Sequence, residues 1–187
     1  MDEIERELRP VADTFLRDVT VGSRLNGLGV LSAEDAKGMG AVGPMLRASG
    51  VPYDSRLTGY AAYGDLSVEP ITATAGDSMA RCEVRIREIY QSFRLIREAI
   101  AKIPQGDIAV PVKGNPNGEC FMRIEQPRGE AIYYVKANGT KFLDRFRLRT
   151  PTTSNIPPML DLLRGCQLAD VALLILTIDP CISCTER

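Results

Sequence analysis

The sequence predicts an α+β chain, mainly helical, with long helices, a small antiparallel sheet and a buried metal-ligand tail at the C-terminus. Three observations carry that expectation: a helical stripe of apolar residues from Met79 to Ile100, an Asn-Gly step between two strand-like runs, and two thiols, Cys181 and Cys184, directly after an apolar run. The 187 residues, 44% hydrophobic and 25% charged, suit one globular portion with a core of its own. The expected layout is a helical region over 1–104, a β-hairpin region over 119–150, and C-terminal helices with the thiol motif over 151–187.

Taken in order, residues 2–19 place Ile4, Leu8, Val11, Phe15 and Val19 three and four apart, a helical spacing in which Pro10 invites a kink or a break into two pieces. The glycine-rich 21–30 reads as loop. Ser32-Ala33-Glu34-Asp35 then resembles a capping box that opens a short helix. Residues 50–75 are turn-rich and read as a long ordered loop whose tyrosines pack on the core. The clearest helix runs from Asp77 or Ser78, either able to cap it, to Ile103, with Pro104 as its stop. Cys82 falls on its apolar stripe. Its arginines read as exposed partners for acids four residues away, Glu83 with Arg87 and Arg94 with Glu98.

Beyond the Gly/Pro/Asn-rich 111–118, residues 120–125 and 131–137 read as strands. Between them, Gln126-Pro127-Arg128-Gly129-Glu130 forms a tight turn able to aim an arginine inward. Asn138-Gly139 and the run 141–149 complete a hairpin. The hydroxyl-rich 150–158 reads as loop, with a helix from Met159 to Arg164 ended by Gly165. Residues 168–178 are apolar nearly all round, which predicts a buried helix or strand leading straight to Asp179.

Composition excludes several chemistries. A net charge of -1 gives no electrostatic basis for binding nucleic acid. No run is long enough to span a membrane, and the first six residues lack the apolar core of a signal peptide, so the chain is expected to be cytoplasmic. The chain has no histidine, which removes serine–histidine and cysteine–histidine nucleophiles and mixed Cys/His zinc sites. Five cysteines, mostly isolated, do not form a disulfide framework. Too little chain follows Cys184 for a thioredoxin-type helix, and there is no second close pair for structural zinc. Thiolates select soft or borderline metals such as iron, nickel or zinc, so the pair reads as half of a site whose other ligands lie elsewhere.

Asp179-Pro180-Cys181-x-x-Cys184, followed by Thr-Glu-Arg, resembles the C-terminal motif of nickel–iron hydrogenase large subunits. The terminal arginine is similar to the energy-converting membrane-bound branch, which is related to the 49 kDa subunit of complex I, the NADH-quinone oxidoreductase. Gly50-Val51-Pro52-Tyr53-Asp54, Tyr60-Ala61-Ala62-Tyr63, Pro127-Arg128-Gly129, Pro151-Thr152-Thr153 and Leu168-Ala169-Asp170-Val171 resemble that branch in matching order.

The resemblance implies a nickel–iron centre with carbon monoxide and cyanide on iron. Cys181 would be a terminal nickel thiolate that takes a proton, and Cys184 a bridging one. Arg128 would overhang the metals, held by Asp179, while Pro127 and Thr152 would line the cyanide pocket. It also implies a location on the inner face of the cell membrane, links to quinone and NAD chemistry, and several partners: an iron–sulfur small subunit, membrane subunits and maturation factors. Two departures matter. The family's first cysteine pair is missing, so this chain resembles only the C-terminal half and needs an N-terminal half or companion chain. It also ends at Arg187, where the family's C-terminal extension would be clipped. Ser154 stands where many members carry tryptophan. The rival expectation is a non-catalytic or quinone-reductase-like subunit of a complex I-type assembly, although complex I relatives lack the two cysteines.

Overall fold

The computed structural model describes residues 1–186. Helix α1 spans Asp2–Arg17 and α2 Val19–Leu25. The expected break is present but falls at Asp18 and not at Pro10, which stays inside α1. Asp18 is extended, and its carboxylate accepts the Val21 N–H at 2.9 Å, so it caps a new helix through part of the expected loop. Ser32 caps α3 (Ala33–Gly38) through the Asp35 N–H, as expected. The four-residue α4 (Pro44–Arg47) is buried along its whole length.

Helix α5 covers Ser78–Lys102, capped by the Asp77 carboxylate on the Ala80 N–H. Its arginines depart from the expected pattern. Glu83 and Arg87 pair at 3.2 Å, but Arg94 donates to the Ser67 carbonyl and Glu98 pairs with Lys102. Arg81 is fully buried and donates to the Gly29 and Gly76 carbonyls, Ser78 Oγ and Thr177 Oγ1. With no carboxylate bonded to it, burial lowers its pKa to about 10. A fork of five donors suits this role, because it satisfies acceptors from three separate segments at once.

One antiparallel sheet, in the order β1-β2-β3, is built from Asn117–Gln126, Gly129–Asn138 and Leu143–Arg149. Gln126 pairs with Gly129, so Pro127 and Arg128 alone make the first turn. The second connection is longer than a two-residue Asn-Gly turn: pairing resumes at Ala137–Leu143 after an irregularity at Lys136. The hydroxyl-rich stretch expected as loop is instead the start of α6 (Pro151–Leu162), with Thr150 as cap and Pro151 at the first turn. Helix α7 (Val171–Ile178) follows a short 3-10 turn. It is buried on one face only: Leu174 and Ile178 are inside, while Leu176 is 70% exposed, and Leu168 of the preceding turn is 90% exposed.

The main core joins Leu31, Ala36, Ala41, Met45, Leu46 and Ile178, with Met159 and Leu162 packed against it. This cluster sets the end of α7 beside α4 and α6. Burying a side chain the size of Ile178 stabilises by about 1.5–3 kcal/mol, enough to fix where the tail begins. No helix among the described residues is long and apolar enough to cross a membrane.

Candidate metal centre

The tail is placed by three pieces of backbone chemistry. At the end of α7, Asp179 adopts the left-handed conformation (φ 59°, ψ 57°), which aspartate tolerates better than most residues. The chain thereby leaves the helix axis at Pro180. Cys181 then opens the single-turn α8 (Ile182–Thr185), and its carbonyl accepts the N–H groups of Cys184 and Thr185, each at 3.1 Å. The two thiols therefore sit one turn apart, on consecutive corners of a closed turn.

The N-terminus of α6 grips this turn at both ends. The Cys181 N–H donates to Thr152 Oγ1 at 3.1 Å, and Thr150 Oγ1 donates to the Cys184 carbonyl at 2.9 Å. Both cysteines are half-buried, whereas Ile182 between them is 84% exposed. The tail is thus clasped on one side and open on the other.

Arg128 arrives from the β1–β2 turn. Its Nε donates to the Asp179 carbonyl at 2.7 Å, and its guanidinium pairs with the Asp179 carboxylate at 3.1 Å. The turn is set by close backbone contact: a Cβ on Gly129 would lie 2.7 Å from the Gly43 nitrogen. Asn155 of α6 completes the frame, accepting the Val42 N–H at 2.9 Å and donating to the Val42 carbonyl at 3.3 Å. Sheet, α4 and α6 therefore meet where the thiols are. Pro127, on the same turn, lines a cavity of about 350 Å3 whose wall includes Asp179.

Electrostatics favour the thiolate. The Cys181 pKa is lowered to about 7, chiefly by the hydrogen bond with Ser183 Oγ at 3.1 Å, then by Cys184 and by the charge of Arg128. Cys82, partly buried in the α5 stripe, is pushed up by burial. Alkylation of the full chain against pH is therefore expected to show Cys181 reacting with a midpoint near 7, moved upward in Ser183→Ala. A Cys181 midpoint at or above that of Cys82 would contradict this electrostatic arrangement.

Among the described residues, no group of three or more Cys, Asp or Glu side chains is arranged to hold a metal ion. The structure thus brings Cys181, Cys184, Asp179, Arg128, Thr152 and Pro127 to one locality as a two-thiol donor set. It also shows a cluster that sequence reasoning missed: Arg47, buried, pairs with Glu88 at 2.7 Å, Glu125 at 2.9 Å and Asp54 at 3.5 Å. A signal was present, since Arg47 is the one charge in the otherwise uncharged run 38–53.

The chain is 39% identical to the "Carbon monoxide-induced hydrogenase" of Rhodospirillum rubrum, over its whole length and 53% of that protein. It is 37% identical to the alpha subunit of the membrane-bound hydrogenase of Pyrococcus furiosus, over 97% of the chain and 47% of the relative. It is 35% identical to an NADH-quinone oxidoreductase subunit of Chloroherpeton thalassium, over 84% of the chain and 42% of the relative. The chain spans about half the length of the curated relatives it matches. The sequence profile described as "Respiratory-chain NADH dehydrogenase, 49 Kd subunit" matches residues 1–115 and 113–187. The chain belongs to this family, whose members it resembles include hydrogenase as well as NADH-quinone oxidoreductase subunits.

Proposed function

We propose that this chain is part of the catalytic large subunit of a nickel–iron hydrogenase, and that Cys181 and Cys184 supply two of four thiolate ligands. The observation that carries the reading is the donor set itself: two half-buried thiols on one closed turn, backed by a hydroxyl and an arginine–aspartate pair. Soft thiolates suit nickel and iron, and the deprotonated form that binds metal is reached at Cys181 at a lower pH than at an ordinary thiol. When bound, such a centre supplies the Lewis acidity and redox capacity for reversible hydrogen oxidation.

The chain's own residues have separate tasks in this reading. The Cys181 sulfur, beside the Ser183 hydroxyl and the Arg128 charge, is the position at which this chain can take up a proton. Arg128 presents a fixed cation to the same space, kept in place by the Asp179 carbonyl and carboxylate. Thr152 accepts the Cys181 N–H, which orients that cysteine and leaves the Thr152 hydrogen available to an acceptor in the pocket. The remaining two thiolates come from an N-terminal half or companion chain, and electrons leave through iron–sulfur clusters of a small subunit. Maturation factors insert the metals, and the assembly is attached to the inner face of the membrane through its other subunits.

A second reading, a metal-free quinone-reductase-like subunit, draws on the similarity to NADH-quinone oxidoreductase subunits and to an F(420)H(2) dehydrogenase subunit of Methanosarcina mazei. The two part on metal content. In the complex purified with all its partners, nickel is expected at about one per large subunit, with infrared bands of iron-bound carbon monoxide and cyanide. Cys184→Ser is expected to lose about nine-tenths or more of the nickel, because a hard hydroxyl then replaces one of the soft thiolates that hold it. A complete complex with neither nickel nor those infrared bands would leave the second reading standing.

A further inference from the structure

Strand β3 is an outer strand of the sheet, paired on one side only, with β2. Among the described residues, no other backbone group bonds to its free edge. Its sequence puts Arg145, Arg147 and Arg149 at every second position, so the three share one face of the sheet, about 7 Å apart along the strand. Arg149 folds back over Gly40, its Nη2 3.5 Å from where a Cβ there would stand. Arg145 and Arg147 stay exposed.

This face has no anion to spare for them. Lys136 stands directly opposite Arg145, a like-charge pair of the kind that destabilises a sheet. Tyr134 stands opposite Arg147 and donates its hydroxyl to Glu119 at 2.6 Å, which engages the acid of β1 that faces Lys136. Nearer the Pro127-Arg128 turn, Glu125 is taken by Arg47, and Glu130 by the Tyr53 and Ser55 hydroxyls, with Arg123 3.8 Å away. The other face of β3 is apolar: Phe146 is 48% exposed, its ring 6.4 Å from that of Tyr133.

An occupant of this edge has to meet three features at once: open backbone groups, a row of cations at every second residue, and an exposed aromatic on the other face. A second copy of the chain, paired through the same strand, brings the arginines opposite one another. A lipid surface or a nucleic acid would neutralise the row and leave the backbone and Phe146 unused. An extended polypeptide meets all three, since it bonds to the open edge and sets its own alternate side chains about 5 Å from those of β3. We propose that β3 is a docking edge for an extended segment of a partner chain, added as a further strand, with acidic residues at alternate positions and apolar ones between. Charge along an edge guards a sheet against indiscriminate pairing, and here the same arginines choose the partner by repelling basic strands. The assignment does not depend on the metal at the thiol turn.

The test uses the full chain and two synthetic peptides of one composition, the first alternating glutamate and valine, the second with its glutamates in a single block. The alternating peptide should bind, slow amide exchange along β3, and lose roughly tenfold or more of its affinity in Arg145→Ser/Arg147→Ser. Arg145→Glu/Arg147→Glu should transfer the preference to a peptide alternating lysine and valine, which also establishes that the variant is folded. No binding, equal binding of the two glutamate peptides, or binding without a change in β3 exchange overturns the proposal. Tighter binding to vesicles of anionic phospholipid, or to a single-stranded DNA oligonucleotide, than to the alternating peptide overturns it as well. In the complex purified with its partners, β3 amides should exchange roughly tenfold more slowly than in the free chain, a larger change than along β1. Equal exchange in the two states refutes an occupied edge.

Discussion

Arg47→Met is expected to destabilise the chain by about 3–5 kcal/mol at neutral pH, among the largest effects of any single substitution here. The methionine fills most of the arginine's volume, so the loss is electrostatic. It strips the shared cation from three carboxylates that are almost wholly shielded from water. Glu88 and Glu125 already have raised pKa values in the folded state, mainly from burial, and removing Arg47 raises them further because its charge and hydrogen bonds pull them down. A carboxyl whose folded pKa exceeds its unfolded value binds more protons when folded, so its contribution is favourable at low pH and is lost as pH rises through the folded pKa. The variant should accordingly be closer to wild type near pH 5 than near pH 7. Asp54 acts in the opposite sense, since Arg56 still holds its pKa down, and that pair is unaffected. Urea unfolding of the full chain at the two pH values measures this. A cost below about 1 kcal/mol at neutral pH, or a deficit that shrinks as pH rises, would be incompatible with the cluster as described. Arg47→Lys, which keeps the charge but loses the fork, should fall between.

Which features were legible in the sequence follows from how local their causes are. Helix α5 was readable to within a residue because its stripe, its Asp77 cap and the following Pro104 all act within a few positions. The Pro127-Arg128 turn was readable because Gly129 and the flanking strand alternation mark it. The start of α6 was not. Threonines and a Pro-Pro step suppress helix propensity there, and what overrides them is long-range: Asn155 on Val42, Thr152 on Cys181, and Thr150 on Cys184. Arg81 and Arg47 were illegible for the same reason. Their acceptors come from segments up to 96 and 78 residues away, and helical spacing alone assigns such arginines to solvent. The thiol pair announced itself, but the grip of α6 on it needed coordinates.

Gly129→Ala is expected to be as damaging as the loss of Arg47, by a different route. Gly129 sits at φ 127°, outside the regions open to residues with a Cβ, which alone costs about 1–3 kcal/mol. The added carbon would also stand 2.7 Å from the Gly43 nitrogen and from Val42 Cγ2. The neighbouring backbone cannot yield cheaply, because Asn155 holds both the N–H and the carbonyl of Val42. Overpacking of this kind adds about another 1–3 kcal/mol. The turn that would have to move is the one carrying Arg128, so relief of the clash takes the guanidinium from Asp179. Two readouts should change together: the unfolding midpoint drops, and the alkylation midpoint of Cys181 rises, by less than in Ser183→Ala, because Arg128 is the smaller of the influences on that thiol. Gly139→Ala is the control, at φ 79° with its nearest neighbour 4.0 Å away, and should cost only about 1 kcal/mol with no change at Cys181. If Gly129→Ala matched that control in both readouts, the contact between the two glycines could not be what positions Arg128.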